Sequence, residues 1–151
     1  MTTAFCVYGF RTGIIREGDS LVDALLAGIC QTEASSFRDG DVVVLAETAV
    51  ATAEGSVVDL ASVVPCENSL RLGDRYGIDP RLVEVVTRES DEVVGGIPGH
   101  LLCMKGGTLL PNAGVDASNA PAGCVTPLPA DPDGSARAIR QVVEQVTGAK
   151  I

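Results

Sequence analysis

The run Val42-Val43-Val44-Leu45-Ala46 constrains the fold more than any other stretch of this chain. It is short, continuous and β-branched, with the Asp39-Gly40-Asp41 turn before it and Glu47 after it. That pattern predicts a strand buried on both faces rather than one with a wet side. A strand of this kind needs cover above and below. The expected fold is therefore α/β (mixed α+β), a single compact domain over residues 1–151. At that length one domain can bury a real core. With 46% hydrophobic residues but no tryptophan and few aromatics, the core must be built from Val, Leu, Ile and Ala.

Punctuation places the other elements. Residues 4–8 read as a short strand and residues 9–13 as the turn leaving it. Asp19 or Ser20 offers an N-cap for a helix over residues 21–30, whose Leu21, Ala24, Leu25, Gly28 and Ile29 form one stripe. Residues 57–60 form a further extended piece. Residues 69–76 form a helix stopped by Gly77. Asp79-Pro80 opens a helix with an apolar face of Leu82, Val85 and Val86, and with Glu84 and Arg88 paired outside it. Residues 95–100 (Gly-Gly-Ile-Pro-Gly-His) form a mobile or tight loop. Residues 101–104 and 108–110 form a hairpin around Lys105-Gly106-Gly107. Residues 124–128 are a last strand candidate. Asp131-Pro132 opens a final helix with a stripe of Ile139, Val142, Val143 and Val146, closed by Gly148.

Charge and cysteine usage narrow the partners. A net charge of −9 argues against nucleic acid or an anionic membrane surface. A phosphorylated ligand stays compatible if a metal ion supplies positive charge. No apolar run approaches a membrane span, and no basic region followed by an apolar run marks the N-terminus. The five cysteines form no CxxC pair and are expected as buried, reduced thiols of a cytoplasmic protein. With one histidine, a zinc site is not expected.

Three stretches carry polar chemistry. Asn112-Ala113-Gly114-Val115-Asp116-Ala117-Ser118-Asn119 is a polar knot between apolar runs. Asp116 can ligate a hard cation and Asn119 can bind a phosphate or a base edge; the same residues can instead cap their own turn. Glu47, Thr48 and Thr52 follow the carboxyl end of the expected buried strand, where α/β folds gather ligands; alternatively the threonines cap a turn and the glutamate is solvated. Arg11 and Thr12 read as a phosphate-facing turn or as a solvated pair. His100 is the sole imidazole, a general base or a hydrogen-bonded structural group.

Together these residues resemble the F420-0:γ-glutamyl ligase family. The resemblance lies in Arg11-Thr12, Ile14-Ile15, Glu17-Gly18-Asp19, Asp39-Gly40-Asp41, and Thr48 with Ala53-Glu54-Gly55. Its specific part is the 112–119 knot followed by Asp131-Pro132-Asp133-Gly134-Ser135-Ala136. It covers nearly all of the chain but only the N-terminal portion of the family. It implies an enzyme that uses GTP and a divalent metal, Mg or Mn, to join L-glutamate to a deazaflavin precursor through a γ-linked amide. It assigns Asp116 to the metal. It assigns Thr12, Gly13, Ile14, Ile15, Glu47, Thr48, Thr52 and Asn119 to nucleotide contact. The family usually carries lysine where this chain has Thr52 and serine where it has Glu47, so the site here is more negative. The resemblance further implies a homodimer, or a complex with a chain supplying the C-terminal half of the site and its Asp-Thr metal pair. The other functions open to the sequence are a short non-catalytic paralogue that binds a nucleotide or F420-like ligand, and an interaction domain.

Overall fold

Three of the α-helices start on residues whose side chains cap them. The computed structural model describes residues 5–151. α1 (Leu21–Ile29) is capped by Ser20, whose hydroxyl accepts from the Asp23 N–H at 3.2 Å. α2 (Glu47–Ala53) follows residues 42–46 directly. α3 (Glu67–Tyr76) ends on Gly77, whose φ of 66° is the left-handed turn that glycine adopts without cost. α4 (Pro80–Glu89) starts at Asp79, which accepts from the Arg81 N–H at 2.9 Å. α5 (Pro132–Thr147) starts at Asp131, which accepts from the Gly134 N–H at 2.8 Å.

Among the described residues the sheets are two, and both are antiparallel. β1 (Val58–Asp59) pairs with β5 (Cys124–Val125). β2 (Glu92–Ile97), β3 (His100–Lys105) and β4 (Thr108–Pro111) form a meander in the order β2-β3-β4. Cys103 faces Val93 on one side and Leu110 on the other. The fold class is thus mixed α+β, with no parallel sheet among the described residues.

The main core lies under the three-stranded sheet. Ten buried residues cluster there, among them Val83 and Val86 of α4, Leu101 and Cys103 of β3, and Val125 of β5. Removing side chains of this size from water is worth about 1.5–3 kcal/mol each. A second, smaller cluster sits between α1 and α5, and among the described residues its buried members are Val22, Leu25 and Val143. Phe10, Val43, Leu45 and Ile139 pack against its margin half-buried.

Several expectations are corrected. Residues 42–46 pair with no strand among the described residues, and Val42 and Val44 are 86% and 87% exposed. Periodicity predicted burial on both faces, but neither sheet supplies this segment with a neighbour. Of the strand expected at 4–8, Ala4 lies outside the described residues, and residues 5–8 are unpaired with Phe5 and Val7 exposed. Of the loop expected at 95–100, residues 95–97 belong to β2 and His100 opens β3; only Pro98-Gly99 turns. Gly96 leaves room there, since a side chain on it would press on the Tyr76 ring and the His100 carbonyl. The last strand shrinks to Cys124–Val125. On α5 only Val143 is buried, while Val142 and Val146 stay exposed. Of the cysteines only Cys103 is buried; Cys6, Cys30 and Cys66 are exposed and Cys124 is intermediate.

Glu84 also departs from its expected outside pairing. It is buried, and its carboxylate accepts from the Cys66 N–H at 2.9 Å and the Ser69 hydroxyl at 2.8 Å. Arg88 still reaches it, at 2.9 Å, from the surface. The cluster ties the start of α3 to the middle of α4.

Candidate functional site

A cavity of about 340 Å³ opens between the turn at residues 12–15, the first turns of α2 and the tip of the polar knot. Each wall has a local cause. The turn is anchored on one side by Phe10, whose ring lies on Gly28 of α1. On the other, the Gly18 N–H donates to the Ala53 carbonyl at 2.9 Å. Between these anchors Gly13 takes a φ of 76°, which bends the backbone toward the opening.

α2 gives the cavity one face only. Thr48, Ala49 and Thr52 lie on the same side of the helix and line it, together with Ala46. Glu47, one residue earlier, points elsewhere. It shares a side with Val50, and the two line a separate groove of about 500 Å³ against α5. Helix geometry separates Glu47 from Thr48, since neighbours in sequence sit about 100° apart.

The knot reaches the cavity through its last residue. Asn112, Ala113 and Gly114 all have positive φ, at 48°, 52° and 78°, so the chain leaves β4 in a left-handed turn. The Asn112 side chain accepts from the Leu101 N–H at 2.9 Å and fixes that turn to β3. Asp116 and Thr126 then exchange both backbone hydrogen bonds, at 3.0 and 2.7 Å. Asn119 projects beyond this clamp, and its carboxamide donates to the Thr48 hydroxyl at 3.4 Å.

Seven of the nine residues assigned to the site from the sequence thus line one cavity: Thr12, Gly13, Ile14, Ile15, Thr48, Thr52 and Asn119. Thr48 is buried, Ile15 and Thr52 are intermediate, and the rest are exposed. Asp116 does not line it. Its carboxylate accepts from the Ser118 N–H and hydroxyl, and these bonds hold its pKa below the usual carboxylate range. Among the described residues no group of three or more His, Cys, Asp or Glu side chains gathers to hold a metal ion. Asp116 by itself does not make a metal centre. His100 is exposed at the start of β3, outside the cavity lining.

Sequence reasoning missed Ala46 and Ala49 as wall residues, although the i, i+1, i+4 spacing of 48, 49 and 52 on a helix implies Ala49 once Thr48 and Thr52 are chosen. It also missed Ser118, the residue that holds the Asp116 carboxylate against its own loop. The wall carries hydroxyls, one carboxamide and aliphatic surface, with no lysine or arginine. Such a wall can orient a polar ligand by hydrogen bonds but cannot neutralise a polyphosphate. No helix of the described residues is long and apolar enough to cross a membrane.

Residues 9–151 match the family described as F420-0:Gamma-glutamyl ligase. The chain is 38% identical over 138 residues to a coenzyme F420:L-glutamate ligase of Methanopyrus kandleri, a match covering 91% of this chain and 52% of that protein. It is 35% identical over 141 residues to the protein of the same name from Methanothermobacter thermautotrophicus, covering 91% and 55%. It is 35% identical over 138 residues to that of Archaeoglobus fulgidus, covering 91% and 53%. The chain spans about half the length of the curated relatives it matches.

Proposed function

The chain belongs to the F420-0:Gamma-glutamyl ligase family, and from that membership we propose that its 340 Å³ cavity binds the GTP used to form a γ-glutamyl amide. The reaction transfers the γ-phosphoryl group of GTP to the carboxylate of a deazaflavin precursor, breaking the β–γ phosphoanhydride bond and leaving GDP. The amine of L-glutamate then attacks the acyl phosphate, forming the amide and releasing inorganic phosphate. In this reading Thr12, Thr48 and Asn119 hydrogen-bond the nucleotide, Gly13 lets it approach the backbone, and Ile14 and Ile15 pack on its flat surface. The observation that carries the reading is the convergence of residues 12–15, 48, 52 and 119 on one cavity.

The charge of the triphosphate must be met from elsewhere, because the wall holds no cation. Asp116 is offered as one ligand of a divalent ion, Mg or Mn, and a second polypeptide as the source of the others. We assign no chemical step to a metal held by this chain alone, since its described residues do not gather a ligand set. The reading places the protein in the cytoplasm, with small-molecule substrates. The test is a calorimetric titration of GTP into the chain with Mn²⁺ present. Binding that weakens in Thr48→Val supports it; no heat at any metal concentration overturns it.

A second reading has its own support. Asp116 turned onto Ser118, with no ligand cluster among the described residues, suits a paralogue that binds a nucleotide or F420-like ligand without ligating it. Turnover of precursor, L-glutamate and GTP by the chain with a completing polypeptide separates the two: product formation excludes the second reading.

A further inference from the structure

We propose that residues 42–45 are an open β-strand edge, and that it takes up a strand from the half of the family polypeptide which this chain does not span. The inference rests on the reading above, in which a second polypeptide completes the site, and it says where that polypeptide docks.

The first observation is backbone. No backbone hydrogen bond of the described residues involves the N–H or C=O of Val42, Val43, Val44 or the N–H of Leu45, although burial alternates along the segment as on a strand, exposed at 42 and 44 and intermediate at 43 and 45. A row of such groups is a template for another strand. Natural edges that stay free carry lysine, proline or a bulge. This one is four aliphatic residues in a row.

The second observation is packing. Val43 and Leu45 point toward the α1–α5 cluster, while Val42 and Val44 point away into solvent. Beside them lies the apolar groove of about 500 Å³, walled by residues 42–45, Pro129, Ile139 and Ile151. The α5 stripe continues past it in the exposed Val142 and Val146. The cluster beneath has three buried members against ten in the other core, so this side of the molecule is the one short of cover.

The occupant follows from length and charge. The matched relatives carry about as much polypeptide again outside the match. A strand from that half would pair through its neutral backbone, which adds no like charge to the edge. A second copy is a poorer occupant. Self-pairing of four residues falls far below the about 800 Å² per partner of a stable dimer, and it sets two chains of charge −9 side by side.

The test uses the full chain, alone and co-expressed with the unmatched half of the Methanopyrus kandleri relative. Residue-resolved amide exchange by NMR is the readout. Alone, the chain is expected to be monomeric, with the 42–45 amides exchanging freely. A Val42→Lys/Val44→Lys variant is expected to keep its Tm within a few degrees, because both side chains are in solvent. With the added half, a 1:1 complex is expected in which every second amide of 42–45 slows by orders of magnitude, as strand pairing requires, and the variant does not form it. Self-association that protects 42–45 overturns the proposal in favour of a second copy. So does unfolding of the variant alone, the absence of a complex, or a complex in which 42–45 still exchange freely. GTP titrations on the same samples keep the readings apart. A protected edge without GTP binding removes the nucleotide reading alone, and GTP binding with a free edge removes this one alone.

Discussion

The Asn119 carboxamide donates to the Thr48 hydroxyl at 3.4 Å, joining two segments 71 residues apart in sequence. The bond is long and partly exposed, so it contributes little to stability by itself. Its value is positional, since it sets the tip of the knot against the wall of the cavity. Asn119→Ala is expected to leave stability within ~0.5 kcal/mol and to weaken GTP binding about fivefold, the ~1 kcal/mol of one neutral hydrogen bond. Calorimetric titration and a thermal melt of the same sample check both halves of the expectation.

Asp116 is held by Ser118, and the bonds that hold it favour the ionised carboxylate. Asp116→Asn retains an oxygen that can accept from the Ser118 N–H but loses the charge. The expected outcome is an unchanged fold and loss of any metal enhancement of GTP binding. If Mn²⁺ tightens binding in the parent by about tenfold, ~1.4 kcal/mol, it is expected to do nothing in the variant. An enhancement of equal size in both would remove Asp116 from the site.

Much of the helical framework was legible because caps are local chemistry. Asp79-Pro80, Asp131-Pro132 and Gly77 act within one turn of themselves, and no distant partner can easily override them. The 101–110 hairpin was legible for the same reason. What was not legible depends on partners. Residues 42–46 have the composition of a central strand, yet strandedness needs a neighbour's backbone, which composition does not encode. Glu84 reads as one half of a surface i, i+4 pair until α3 brings Ser69 and Cys66 over it. At the candidate site, the resemblance named the residues and the fold gathered seven of them. Glu47 went to the other side of α2 because a helix turns by about 100° per residue.

Glu84 makes acid stability a test of that α3–α4 joint. The Cys66 N–H, then the Ser69 hydroxyl, with Arg88 adding less, lower its pKa from 4.5 to about 2. The folded-state value lies below the unfolded one, so the stabilisation is complete above the unfolded value and is lost as pH falls from about 4.5 toward 2. Glu84→Gln, which cannot gain this charge, is expected to lower Tm by several degrees at pH 7 and by nothing measurable near pH 2. Melting curves across this window check the convergence of the two proteins. A constant gap down to pH 2 would assign the effect to packing rather than to the carboxylate.

Gly28 tests how the turn at 12–15 is held. It lies inside α1, where alanine normally stabilises a helix by about 1 kcal/mol over glycine. A methyl group at this position would overlap the Phe10 ring, which covers Gly28 in place of a side chain. Overpacking of this kind costs about 1–3 kcal/mol, which outweighs the gain in propensity. Gly28→Ala is therefore expected to destabilise the chain by ~1 kcal/mol. Because Phe10 anchors the start of the turn, it should also displace Thr12 and Gly13 and weaken any ligand in the cavity. In a Phe10→Ala background the obstruction is gone, and the same Gly28→Ala change is expected to stabilise by up to about 1 kcal/mol. A double-mutant cycle from denaturant melts reads this reversal of sign directly. If Gly28→Ala has the same sign in both backgrounds, the ring does not rest on the helix, and another contact must hold the turn.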